Sequence, residues 1–220
     1  MKLISSETGQ ALQLIVMDEA RPLSGGVFQP GALARLMQRY RFLSTSAANQ
    51  TDANQPMKFQ TGVIEIDGST FLIAALEVYN DGVIINSRNT NDADKIMDDF
   101  IQWAITDLHF REPVTKIPRT YQSQVVVSLN QSLNSFMVQF DKIKDITERA
   151  FNADKNSLNL VRLSIGPQPP GTLPYRTTWQ IERRIASPFV PDRYFSTAPL
   201  TTPAHLEMLT AIEAAFAARG

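Results

Sequence analysis

The stretch that decides the fold is TGVIEIDGSTFLIAALEVYNDGVIINS, residues 61–87. Two Asp-Gly pairs, Asp67-Gly68 and Asp81-Gly82, each lie between runs of apolar and β-branched residues. Asp and Gly tolerate a positive φ, so an Asp-Gly pair between apolar runs is a strong hairpin signal. The stretch therefore predicts three antiparallel strands, near 61–66, 70–79 and 83–87.

Helices and further strands are predicted around this meander. Apolar residues recur at spacings of three and four in the segments 30–42, 89–108, 132–151 and 202–218, which is typical of helices that cover a core. In the third of these, Ile143, Thr147 and Ala150 are predicted to face the core. Short β-branched runs predict the other strands, near 11–17, 123–129, 158–166 and 177–187. The predicted fold class is α+β, with antiparallel meanders covered by about four helices.

The order strand, helix, meander, helix occurs twice along the chain. This order suggests two similar strand-helix-meander-helix halves, residues 1–110 and 121–220, on either side of a segment with two prolines. No residues match between the halves, so a true duplication and a coincidence of element order both stay open. Tightly joined, the halves would count as a single domain and form one curved sheet, with one face left for a partner.

Composition narrows the classes of function. The 21 basic residues balance 22 acidic ones, whereas a dedicated binder of nucleic acid or of a membrane surface usually has a basic excess. The absence of cysteine excludes disulfides and thiolate chemistry. The beginning, MKLISSETGQ, lacks the apolar core of a secretory signal, and no run is long enough to span a bilayer. We therefore expect a cytoplasmic protein with no membrane partner.

No pattern of catalytic residues, metal ligands or cofactor-binding residues is found. The two histidines, His109 and His205, have no second ligand at metal-binding spacing. Asp98-Asp99 is interpreted as a solvated helix face, since neighbours on a helix do not converge on one atom. Asp18-Glu19 ends a predicted strand and supports only a least-favoured hypothesis, a hydrolase. No catalytic residue, no metal and no cofactor is predicted.

Arginine and aromatic residues supply the predicted partner-binding site. Arginines beside aromatic rings are typical of protein interfaces and of surfaces that stack on bases. The main hypothesis is a non-enzymatic interaction or assembly subunit that contacts a protein partner, or a second copy, through sheet edges and this surface. The extended, proline-rich segment 187–203 would lie across that partner. The alternative is a nucleic-acid-associated factor. The predicted site residues are Arg35, Arg39, Arg183, Arg184, Arg193, Trp179 and Tyr194.

Overall fold

The computed structural model describes residues 1–21, 30–46, 56–130, 133, 140–151, 160–166, 178–184 and 192–217. The chain divides into two compact units. The first unit comprises Glu7–Ser123 with Leu200–Thr202, and the second comprises Met1–Ser6, Gln124–Pro199 and Pro203–Gly220. Both contain helices and strands, which confirms the α+β class.

The first unit is built on the predicted meander. Its strands are hydrogen-bonded in the order β2-β3-β4-β5-β1, and every pair with a described register is antiparallel. Three helices accompany them. The elements are β1 (Lys2–Leu14, whose first residues belong to the second unit), α1 (Met17–Ala20), α2 (Pro30–Arg39), β2 (Ser44–Thr45), β3 (Met57–Ile66), β4 (Ser69–Tyr79), β5 (Gly82–Ser87) and α3 (Thr90–Asp107).

The second unit carries the order β1-β6-β9-β8-β7. Its elements are β6 (Thr120–Ser128, whose first residues belong to the first unit), α4 (Phe140–Phe151), β7 (Arg162–Ile165), β8 (Trp179–Arg183), β9 (Arg193–Ala198) and α5 (Thr202–Ala217, whose first residue belongs to the first unit). The described residues thus form five helices and not about four, because Met17–Ala20 folds into a short helix that the sequence pattern does not predict. The predicted extended crossing at 187–203 is also corrected, since six of its residues form β9 inside the sheet.

Both predicted hairpins of the meander are confirmed. Asp67 and Gly68 have φ of 50° and 74° and form a two-residue turn between Ile66 and Ser69. In the second hairpin Tyr79 pairs with Gly82, so the turn is Asn80-Asp81 and the glycine belongs to β5. A Cβ on Gly82 would lie 2.7 Å from the carbonyl oxygen of Gln13, which explains why β1 can pair so closely here.

An aromatic core joins α2 and α3 to the meander. The rings of Tyr40, Phe42, Phe59, Phe100 and Trp103 are all buried, with neighbouring centroids 5.4 to 6.3 Å apart. Most of these pairs are tilted, the arrangement that aromatic quadrupoles favour over a face-to-face stack. This core fixes α3 on the sheet.

The beginning of α3 is held from two sides. Asn89 is the N-cap, and its side chain accepts a hydrogen bond of 2.9 Å from the Asp92 amide. Thr90 and Thr202, the first residues of α3 and α5, are buried and exchange hydrogen bonds: each amide donates to the other hydroxyl, at 3.1 and 2.7 Å. Both helices thereby satisfy an amide that has no partner within its own helix.

Candidate functional site

The predicted site residues belong to both units. Arg35 and Arg39 lie on α2 of the first unit. The other five lie on β8, β9 or directly after β8 in the second unit, where the structure brings them together. The two groups are described separately below.

Arg39 is part of the packing of α2 against α3. Its guanidinium forms a two-point ion pair with Asp99, at 2.7 and 3.3 Å, and lies 5.7 Å from the ring centre of Tyr40. The hydroxyl of Tyr40 donates to the same carboxylate at 2.8 Å. Burial, reinforced by the charge of Asp99, raises the pKa of Tyr40. Asp99 is therefore a partly buried anchor, which corrects its interpretation as a solvated residue, and Arg35 is the freer of the two arginines.

We expect Arg39→Gln to lower the free energy of unfolding by about 1–2 kcal/mol. The substitution removes a two-point ion pair and a cation–π contact, and it leaves the half-buried carboxylate of Asp99 without its cationic partner. Arg35→Gln is the matched control on the same helix. Arg35 is exposed and donates one 3.3 Å hydrogen bond to the Asp107 carbonyl, so its loss should stay within about 0.5 kcal/mol. Urea denaturation of both variants checks this, and equal losses would contradict it.

Three arginines of the second unit, Arg183, Arg184 and Arg193, form what we call the arginine cluster. The amide of Arg184 donates to the Arg193 carbonyl at 2.9 Å, which places these two side by side where β8 ends and β9 begins. Arg183 pairs with Tyr194 across the strands and lies 5.6 Å from its ring centre. The Nε of Arg193 is buried and has no hydrogen-bond partner among the described residues.

The two aromatic members of the predicted site are buried. Tyr194 has no exposed surface, and its hydroxyl accepts a 2.9 Å hydrogen bond from the Leu133 amide. Trp179 is 7% exposed. Neither ring lies at the surface, so both support the sheet from its covered face.

Next to the arginine cluster, one face of the sheet carries a row of side chains that are at least partly exposed. Strand register places Phe195, Glu182 and Arg162 in one row across β9, β8 and β7. Arg162 binds the carboxylate of Glu182, with its Nε at 2.7 Å. A shallow cleft of about 430 Å³ is lined by Phe195, Glu182, Val161 and two arginines of the cluster. Charge, an aromatic edge and apolar surface therefore meet at this end of the sheet.

A buried polar group, missed by sequence reasoning, lies under β8 and β9. The Ser196 hydroxyl is 2.9 Å from Nε2 of His205, accepts a 3.1 Å hydrogen bond from the Trp179 indole and donates to the Gln180 carbonyl at 3.0 Å. Ser196 and His205 have no exposed surface, and burial lowers the pKa of His205 to about 4. Because neither side chain is accessible to solvent, we interpret the pair as part of the interior packing. Ser196 lies on β9 and His205 on α5, so no spacing within a single element predicts this contact.

The Asp18-Glu19 pair has a structural role at Glu19. Both carboxylate oxygens of Glu19 accept hydrogen bonds from Thr115, one from the amide and one from the hydroxyl, each 2.7 Å long. The hydrogen bond from the Thr115 amide, and to a smaller extent the one from the Thr115 hydroxyl, lowers the pKa of the Glu19 carboxyl. Asp18 is largely exposed and lies 3.4 Å from Arg21. The two carboxylates do not converge on a common point.

Comparison with known proteins adds no function. Neither a protein-family model nor a curated protein matches this chain. Among the residues that the structure describes, no three histidine or acidic side chains converge in a way that would hold a metal ion. Within the same residues, no helix has both the length and the apolar character needed to cross a bilayer.

Proposed function

We propose that this chain is a cytoplasmic, non-enzymatic interaction or assembly subunit, and that its contact surface is the edge strand β7 together with the arginine cluster. The occupant that fits this surface is an extended, acidic segment of a protein partner. The observation that carries the proposal is the combination of an unpaired strand edge with arginines beside an aromatic ring.

The edge strand supports the first half of this proposal. Among the described residues β7 pairs only with β8, so its other side carries backbone groups without a strand partner. Val161, directly before β7, and Ile165, its last residue, are 51% and 58% exposed. Proteins usually protect such an edge, and an added strand would satisfy its hydrogen bonds while it covers the apolar side chains.

Charge supports the acidic character of the partner. The one carboxylate that lines the shallow cleft, Glu182, is already bound by Arg162. Arg184 and Arg193 lie side by side, are only partly buried, and form no ion pair among the described residues. Carboxylates of an incoming strand would neutralise both arginines and gain charge-assisted hydrogen bonds.

The test uses a fluorescent peptide of alternating valine and glutamate. We expect it to bind, to weaken as salt is raised, and to lose about tenfold or more in affinity to the double variant Arg184→Glu, Arg193→Glu, since charge-assisted contacts become repulsive. Arg88→Glu, which reverses an exposed arginine of the first unit, should leave binding unchanged. Fluorescence anisotropy measures all three proteins.

Two results would contradict the proposal. Equal binding of a peptide with lysine in place of glutamate would remove the charge argument. Tight, salt-sensitive binding of single-stranded or double-stranded oligonucleotide, lost in the same double variant, would favour the nucleic-acid alternative. In the native host, mass measurement of the purified complex should show a stoichiometric partner that the double variant no longer retains.

The internal repeat belongs to the same proposal. What supports it is strand order: β3-β4-β5-β1 and β7-β8-β9-β6 follow the same scheme, each with one helix before its meander and one after it. Residues 1–110 and 121–220 would then be two versions of one motif, of which the second has acquired the arginine cluster.

A further inference from the structure

The first unit contains a cleft of about 1010 Å³ that the proposed interaction surface does not use. Its floor is apolar and is formed chiefly by one side of α3 and by the residue that ends this helix. Ile101, Ala104, Ile105 and Leu108 on this side are only half-buried. The volume is that of a site for a small organic molecule.

The cleft is bounded by the strap, residues 110–119, which hydrogen bonds hold at several points. The amide of Arg111 donates to the Ala20 carbonyl at 3.1 Å, and Thr115 binds Glu19. At the far end Arg119 binds Gln13 at 3.1 Å and Asp94 at 2.9 Å, and it also pairs with Asp98. The cleft is thus preformed, so a ligand would not need to order its walls.

The charged residues at the rim favour an anion. Each acidic residue of the lining has a basic partner: Asp98 pairs with Arg119, and Glu112 lies 3.9 Å from Lys116. Arg111 is exposed and forms no ion pair within the described residues; its Nε donates to the Arg21 carbonyl at 2.9 Å, which leaves its two terminal nitrogens for a ligand.

We propose that this cleft binds a small molecule with an apolar chain or ring system and one negatively charged group. The apolar part lies on the half-buried side of α3, and the anion lies at the rim against Arg111. A carboxylate matches the planar guanidinium geometry. The site is independent of β7 and the arginine cluster, so either proposal can fail alone.

The test uses 1-anilinonaphthalene-8-sulfonate, whose fluorescence rises in an apolar site, and its displacement by dodecanoate. We expect saturable binding of one dye per chain, and displacement by dodecanoate at concentrations about 5- to 10-fold below those needed for dodecanol, the contribution of one charge-assisted contact at an exposed rim. Ala104→Phe fills the floor and should abolish dye binding. Gln102→Phe, on the exposed side of the same helix, is the matched control and should bind as the parent does.

Two rim variants test the position of the anion. Arg111→Gln should remove the preference for dodecanoate over dodecanol without changing the affinity for dodecanol, and Arg111→Lys should retain part of that preference. No saturable binding, or equal binding by the two Phe variants, would overturn the site. Equal displacement by dodecanol and dodecanoate in the parent protein would overturn the anionic class, and binding to anionic vesicles alone would point to a membrane surface instead.

Discussion

We expect Gly9→Ala to lower the free energy of unfolding by about 3 kcal/mol or more, at or beyond the upper end of what overpacking costs. Gly9 lies in β1 opposite Ser87 of β5 and next to the start of α3. A Cβ at this position would lie 1.9 Å from the carbonyl carbon of Asn89 and 2.0 Å from the amide nitrogen of Thr90. Both are backbone atoms, so no side chain can rotate away, and the N-cap of α3 would have to move.

Gly31→Ala is the matched control for this substitution. Gly31 lies in the first turn of α2, and a Cβ there would have no neighbour within 4 Å. Alanine should stabilise the helix by a few tenths to about 1 kcal/mol, since it has the higher helix propensity. Urea denaturation at neutral pH measures both changes. A Gly9→Ala protein as stable as the parent would show that β1 does not approach α3 as described.

The second large effect is a loss of stability in mild acid that depends on His205. An unfolded histidine takes up a proton near pH 6.5, whereas burial delays protonation of His205 in the folded protein to about pH 4. Between these values the unfolded state binds more protons, so stability falls as the pH falls. The contribution is fully present above about pH 6.5, and its loss by about pH 4 amounts to about 3 kcal/mol, at ~1.4 kcal/mol for each unit of pKa.

His205→Gln isolates this contribution from that of the carboxylates. Glutamine can still donate to the Ser196 hydroxyl but does not titrate. The difference in unfolding free energy between parent and variant should therefore shrink as the pH is lowered from 7 to 4.5. His109→Asn replaces the exposed histidine with a residue that accepts its positive φ of 59°, and it should keep the parent's acid sensitivity. Parallel pH profiles for the parent and His205→Gln would refute the assignment.

Local chemistry explains which parts of the fold the sequence predicts. The hairpins at Asp67-Gly68 and Asn80-Asp81 depend on residues within the turns, so they can be predicted without knowledge of the rest of the chain. The helix α1 cannot be predicted in this way, because it is only four residues long and its Glu19 is held by Thr115 from a distant segment. β9 is likewise obscured by the prolines around it, and only pairing with β8 identifies it as a strand.

Periodicity predicts that a helix has two sides but not which of them is covered. In α4, Ile143 is 47% exposed and Ala150 is also exposed, whereas Glu148 is buried, so the predicted core-facing side is wrong at these positions. The beginning of the predicted helix, around Ser132, lies outside the described residues. Arg39 illustrates the same limit for the candidate site, since its partner Asp99 is distant in sequence.

The pairing of β1 with β5 has a kinetic consequence for how the chain reaches this structure. The strands β3, β4 and β5 join neighbours in sequence through two-residue turns, so they assemble from a contiguous segment with little loss of chain entropy. β1 pairs with β5 only across the whole intervening chain, as Leu14 does with Gly82. Its docking closes a long loop and is the slow, high-contact-order step, during which the edge of β5 stays open to competing strands.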